Sequence, residues 1–328
     1  MKFIFAIVKI LPPELSHFVA LNGLKILYKF GLTKVIFKNF YQKNITTIEN
    51  VNFENKLGIA AGLDKNGDFI DSLGSLGFGF IEVGTVTPLA QPGNTRPRIF
   101  RAFDENAIIN RLGFNNKGVD HLVRRLKSRK YKGIVGVNIG ANKSSTGAKR
   151  ISDYIECFTK VYALSDYITI NISSPNTPGL RDLHDKENIT ELLKRIKAER
   201  DRSQLRKPIF LKISPDESKE SIEIILNAVK SFKITGLVLT NTTIDKTNLQ
   251  NTILKSESGG LSGQPLFAKS TNLIKVIREF DKKIPIIGVG GVIKKSDYNA
   301  KLEAGADLVQ IYTGFIIKGP SIVKELLN

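Results

Sequence analysis

The sequence predicts a (β/α)8 barrel with a small N-terminal helical extension. Eight short apolar runs alternate with amphipathic helical patterns from residue 57 onward. They fill about 270 residues, the count and size of such a barrel. A glycine-rich run, Gly288–Gly291, lies at the seventh apolar run. An open doubly wound sheet would carry its dinucleotide fingerprint after the first strand instead.

The extension comes first, over residues 1–43, with the barrel over 44–328. Residues 1–43 hold seven lysines and one acid, Glu14, and 58% of them are hydrophobic against 41% for the whole chain. Pro12-Pro13 opens a helix over residues 14–30, with Leu15, Phe18, Leu21, Leu24 and Leu27 recurring every three residues. Val19, Ala20, Ile26, Tyr28 and Phe30 widen the apolar surface beyond one face, so one side packs on the barrel and the other needs a lipid or a partner. The longest apolar run, Phe3–Leu11, contains Lys9 and falls far short of the ~20 residues of a membrane span. No small-x-small site follows it, so no secretory leader is expected.

The strand candidates are Leu57–Ala61, Phe78–Thr85, Ile134–Gly140, Tyr167–Ser173, Pro208–Ser214, Gly236–Thr242, Ile284–Gly291 and Leu308–Gly314. Unbroken runs rich in Ile and Val suit parallel strands covered on both faces. Helical patterns lie between them at Ile151–Leu164, Asn188–Arg200, Ser218–Phe232 and Ser270–Phe280. In the third, Ile222, Ile225, Val229 and Phe232 form one stripe, with Asp216 as the expected N-cap.

Composition excludes several classes. One cysteine in 328 residues rules out a disulfide framework and any cysteine-rich metal site. Lys+Arg 49 against Asp+Glu 31 gives +18, which invites nucleic acid or an anionic membrane. Residues 1–43 combine +6 with their 58% of hydrophobic residues, and basic and apolar together favour an anionic membrane surface over nucleic acid.

Barrel active sites are built from the loops after the strands. Those positions hold Lys65, Thr85, Asn138, Asn171–Asn176, Lys212, Thr240–Thr242, Gly290–Gly291 and Tyr312–Thr313. They contain no acidic pair and no histidine cluster, which argues against glycosidase and metal chemistry. Amides, hydroxyls and two lysines suit a polar anionic heterocycle, and the late glycines suit a phosphate. Cys157 reads as core, and His121 and His184 as surface or packing residues and not as ligands.

The run NISSPNTPGLR at 171–181 resembles the catalytic loop of the class 2, quinone-dependent dihydroorotate dehydrogenases. Eight further runs match the same family in order: AAGLDK (60–65), GTVTP (84–88), NRLGFNN (110–116), GVNIG (136–140), TNTT (240–243), GGLSGQPL (259–266), IGVGG (287–291) and QIYTG (310–314). The resemblance implies FMN as cofactor, oxidation of (S)-dihydroorotate to orotate in pyrimidine synthesis, and ubiquinone or menaquinone as acceptor. Ser174 takes the place of the catalytic base. Ala61, Gly62, Lys65, Thr85, Asn138, Asn171, Lys212, Thr240, Gly263, Gly291, Tyr312 and Thr313 match cofactor contacts. Lys65, Asn110, Arg111, Leu112, Gly113, Phe114, Asn171, Asn176, Asn241 and Thr242 match the substrate pocket. His17, Arg101 and Tyr312 match a quinone site. Thr313 replaces the serine common in relatives, and either hydroxyl can serve.

A monomer at the cytoplasmic face of the cell membrane is the expected setting. The competing readings are a class 1 enzyme using fumarate or NAD, and an RNA dihydrouridine synthase. The first lacks its loop cysteine here and the second lacks an RNA-binding module.

Overall fold

A computed structural model describes residues 10–38, 40, 42–177 and 179–328. The run Phe3–Leu11 therefore lies almost wholly outside the described residues, as does Pro178 of the 171–181 loop. In chain order the first strands are β1 (Thr46–Ile48), β2 (Val51–Phe53), β3 (Leu57–Ile59), β4 (Phe80–Val86), β5 (Ile99–Ala102) and β6 (Ala107–Asn110). There follow β7 (Ile134–Ile139), β8 (Tyr167–Asn171), β9 (Ile209–Ile213), β10 (Gly236–Leu239), β11 (Gly260–Gly263), β12 (Ile286–Val289) and β13 (Leu308–Ile311).

Strands β3, β4, β7, β8, β9, β10, β12 and β13 close into a parallel barrel in that order, all eight predicted strands in place. Several predicted runs overshoot at the C-terminal end because the chain turns outward there: Tyr312 already caps the next helix. The strands are buried on both faces, as their unbroken apolar runs require.

The helices run α1 (Pro13–Lys29), α2 (Leu32–Ile36), α3 (Ile70–Gly74), α4 (Val119–Ser128), α5 (Gly147–Val161) and α6 (Lys186–Ser203). After them come α7 (Lys219–Ser231), α8 (Thr252–Ser256), α9 (Phe267–Phe280), α10 (Lys295–Glu303), α11 (Thr313–Lys318) and α12 (Ser321–Leu327). The cap of α7 corrects the sequence reading. Ser218 Oγ, not Asp216, accepts the backbone N–H of Ser221 at 3.1 Å. Asp216 instead accepts from Lys269 Nζ at 2.7 Å, from the Ile244 N–H at 3.0 Å and from Arg181 at 3.3 Å.

The base of the barrel is an aromatic layer. Phe53, from the β1–β2 hairpin, meets Phe80 edge-on at 5.2 Å, and Tyr167 meets Phe210 at 5.6 Å. Gly136 is glycine because a Cβ there would fall 2.0 Å from the Tyr167 ring.

Two features were not predicted. The hairpin is one. The other is an antiparallel sheet of β5, β6 and β11 over the barrel mouth. Gly259-Gly260, read in the sequence as a possible turn, leads into β11 of that sheet.

The extension packs as expected on one side. Leu21 and Leu24 are buried, each worth about 1.5–3 kcal/mol. Glu14 anchors the helix start, pairing with Arg98 and Arg96 at 2.9 Å. Phe18, Val19, Ile26, Phe30, Val35 and Ile36 remain exposed along α1 and α2. No helix among the described residues is long and apolar enough to cross a membrane.

Candidate active site

The strand ends surround a cavity open to solvent, with about 960 Å³ of free space. Every residue assigned to cofactor or substrate lines it except Asn138 and Arg111. Asn138 lies fully buried just beneath. Arg111 turns away: its guanidinium binds Glu257 at 2.7 Å and stacks over Phe100 at 4.6 Å, so the sequence assignment of Arg111 to the pocket wall is corrected. The cavity wall there is made by Leu112, Gly113 and Phe114.

The amides of the cavity form one directed chain. Asn138 donates to Glu82 Oε1 at 2.8 Å. Thr85 Oγ1 and Asn171 Nδ2 then donate to Asn138 Oδ1 at 2.6 and 3.2 Å. Asn241 Nδ2 donates to Asn171 Oδ1 at 3.2 Å and to Ser173 Oγ at 3.0 Å. A carboxylate only accepts, so Glu82 fixes which way each amide points. Tyr167, Thr169 and Gln310 also donate to Glu82, at 3.0, 3.0 and 2.8 Å. The sequence reading passed over Glu82, although an acid inside an otherwise apolar strand was the available signal.

Two lysines face this cavity. Lys212 is buried and makes no hydrogen bond or ion pair among the described residues. Burial pulls its pKa down, and the negative charge of Glu82 partly opposes this. Lys65 is brought to about 8, first by burial and then by the Arg98 charge, with Glu14 and Asp64 opposing. Ser174 is buried, and its Oγ accepts the Asn176 N–H at 3.3 Å. Thr177 Oγ1, three residues on, is buried without a partner among the described residues.

The loop carrying Ser174 is pinned at its far end. His184 Nδ1 meets Glu217 at 2.7 Å, and its Nε2 meets the Ile172 carbonyl at 3.1 Å. Burial would raise Glu217, but His184, Ser221 and Arg181 together bring that carboxyl below its ordinary range. His184 is thus a packing residue, as expected, and His121 binds Asp68 at 2.9 Å. Cys157 is buried in α5 against the Val86 carbonyl, with burial pushing its thiol pKa well up.

A second cavity of about 920 Å³ lies between α1, the β5–β6 hairpin and α11. Its wall is mainly apolar, from Leu21, Leu24, Leu63, Ile99, Phe103 and Phe315, and it includes His17, Arg101 and Tyr312. His17 Nε2 lies 2.7 Å from the Leu63 carbonyl. Burial, then the Lys65 charge, pull His17 down to about 4, so the ring is neutral at pH 7. A carbonyl only accepts, so Nε2 carries the hydrogen and Nδ1 keeps its lone pair. Arg101 donates to Ser16 Oγ at 3.0 Å and to the Leu11 carbonyl. Asn110, Leu112 and Tyr312 line both cavities.

The dihydroorotate dehydrogenase family model matches residues 44–328. The chain belongs to the dihydroorotate dehydrogenase family. Among family members, a Saccharophagus degradans protein named dihydroorotate dehydrogenase (quinone) is 47% identical over 96% of this chain and 94% of its own. A protein of the same name from Acinetobacter baumannii is 45% identical, over 97% and 96%. The crystal structure of DHODH from Eimeria tenella in complex with ferulenol superposes with a TM-score of 0.82 at 32% identity, covering 96% of this chain and 89% of that one. The curated relatives align over nearly the whole chain, extension included, so the likeness to dihydroorotate dehydrogenases extends beyond the barrel to α1.

Proposed function

We propose that the protein oxidises (S)-dihydroorotate to orotate in pyrimidine synthesis and passes the electrons to a membrane quinone. The single observation that carries this is the pair of cavities, one polar and one apolar, meeting at Asn110, Leu112 and Tyr312. The relatives named dihydroorotate dehydrogenase (quinone) support the same reading.

The polar cavity suits FMN. It offers an unpaired buried ammonium at Lys212 and glycines where side chains have no room. At Gly263, φ is +95° and a Cβ would fall 2.0 Å from the Asn106 carbonyl. Ala61, Gly62, Thr85, Thr240, Gly291, Tyr312 and Thr313 would complete the hold. When bound, FMN would supply the redox chemistry, as hydride acceptor for C6 of the substrate and two-electron donor to the quinone.

The chain's own residues do the rest. Lys65 faces the substrate carboxylate, and Asn110, Asn171, Asn176, Asn241 and Thr242 meet its ring amides. Ser174 would take the proton from C5 as its own hydroxyl proton is released to water, a general-base step typically worth 10²–10⁴-fold. Lys212 supplies a fixed positive charge toward negative charge gathering at the cofactor, without reorganising in the reaction. On the other side, neutral His17 and Arg101 offer an acceptor and donors to a quinone head, while the exposed face of α1 and α2 lies on the membrane.

The purified protein should show a flavin spectrum. Anaerobic dihydroorotate should bleach it and a quinone restore it. A spectrum that dihydroorotate leaves unchanged would overturn the proposal. The protein is taken as a monomer at the cytoplasmic face of the cell membrane, checked by sedimentation and by flotation with anionic vesicles.

A further inference from the structure

Lys301, on α10, is fully buried outside the barrel wall. Its side chain runs beside Gly288 of β12, where a Cβ would lie 3.2 Å from Lys301 Cδ. The ammonium donates to Ser270 Oγ at 2.8 Å and Thr271 Oγ1 at 2.9 Å, both on α9. Ser270 Oγ in turn lies 3.1 Å from the Gly290 carbonyl.

No carboxylate pairs with Lys301 among the described residues. Asp297 is close enough to raise its pKa, but the Asp297 carboxylate accepts the N–H groups of Ile293 and Lys294, at 3.0 and 3.1 Å. The Phe267 ring lies 5.2 Å from the ammonium and shares in holding it, but a buried cation without a paired anion remains costly, and negative charge brought near offsets that cost. Burial brings Lys301 to about 7, with Asp297 opposing, so a nearby dianion would hold its proton in place.

The glycine run directly in front of this lysine lines the polar cavity. Gly290 and Gly291 have φ of +115° and +80°, and a Cβ on Gly291 would fall 2.4 Å from Phe267 Cα. The charged residues in the cavity wall are Lys65 and Lys212. The proposed function gives these to the substrate and the flavin ring. The walls at residues 289–292 and 310–314 contribute no charge of their own.

We propose that Lys301 is a positioning residue for the cofactor's phosphate: from behind β12 it supplies the positive charge that a phosphate at Gly290–Gly291 otherwise lacks, and through Ser270 it keeps the Gly290 carbonyl turned away from that anion. It acts without touching the ligand, because charges interact strongly through a poorly screened interior. This rests on the FMN reading above.

The test compares FMN with riboflavin, which lacks the phosphate. Full-length protein freed of flavin is titrated with each, following flavin fluorescence, as wild type and as Lys301→Met. The variant should bind FMN about tenfold or more weakly and riboflavin within about threefold of wild type. Lys301→Gln, whose amide can still bond to Ser270, should behave the same way and serves if Lys301→Met does not fold. Equal weakening of both flavins, or an unchanged FMN-to-riboflavin ratio, would reduce Lys301 to packing. A wild-type chain that binds neither flavin would overturn the cofactor reading itself. Wild-type binding of FMN with an unchanged ratio in the variants overturns only Lys301.

Discussion

Among the described residues no histidine or carboxylate is hydrogen-bonded to Ser174, so the proposed base role would draw on its surroundings and not on a paired base. Replacing Ser174 by Ala should leave the fold and flavin content intact and slow flavin reduction by about 10²–10⁴-fold. Cys157→Ser should stay near wild type, since that thiol is walled into α5. Stopped-flow bleaching compares them, and a Ser174→Ala rate within about threefold of wild type would remove Ser174 from the base role. Lys65 gives a pH dependence. Its pKa of about 8 means the ammonium is charged below that pH and neutral above it. Affinity for the dihydroorotate carboxylate should therefore be full at pH 7 and fall as pH rises through about 8, read as a rising KM with little change in kcat. A KM flat from pH 7 to 9 would show that Lys65 does not meet the carboxylate. Both residues were legible in the sequence as strand-end groups. Glu82 showed only as a lone acid in an apolar strand, and its role, like the outward turn of Arg111, was not legible, since each depends on partners far along the chain, Asn138 in one case and Glu257 in the other.

The eight barrel strands were readable because each is an unbroken apolar run buried on both sides. The sheet of β5, β6 and β11 was not. Its strands have four residues each, β11 begins and ends in glycine, and β11 pairs with a strand about 150 residues earlier. No local period can report such a pairing. The β1–β2 hairpin was equally silent, with three residues per strand, yet it delivers Phe53 to the aromatic layer. Phe53 is fully buried. Phe53→Ala should cost about 3–5 kcal/mol, measured by denaturant unfolding, with the flavin spectrum of the folded fraction unchanged. A loss under about 1 kcal/mol would mean that the hairpin contributes little to the base.

At the level of the whole chain, residues 1–43 carry +6 of the +18, and the exposed apolar faces of α1 and α2 belong to that same segment. Deleting residues 1–40 should abolish vesicle binding and turnover with long-tail quinones. Single-turnover reduction by dihydroorotate should survive, because the polar cavity takes no residue from α1 or α2. Flotation and stopped-flow kinetics read the two effects separately. A soluble truncated protein that still reduces a long-tail quinone at the full-length rate would refute the arrangement. For the intact chain, vesicle binding should weaken but persist as salt rises, since lysines are screened within about 10 Å at 0.1 M while apolar burial is not.

The wall shared by the two cavities has a consequence for how the sequence can change. Pro13, Ser16, His17, Ala20, Leu21 and Leu24 face only the apolar chamber, while Ser174, Lys212 and Asn241 face only the polar one. Adaptation to a different electron acceptor can therefore proceed by substitutions in one helix, leaving recognition of the pyrimidine precursor untouched. Among the described residues, Asn110, Leu112 and Tyr312 are the ones that line both cavities, so under the proposed function drift there for one partner would be vetoed by the other.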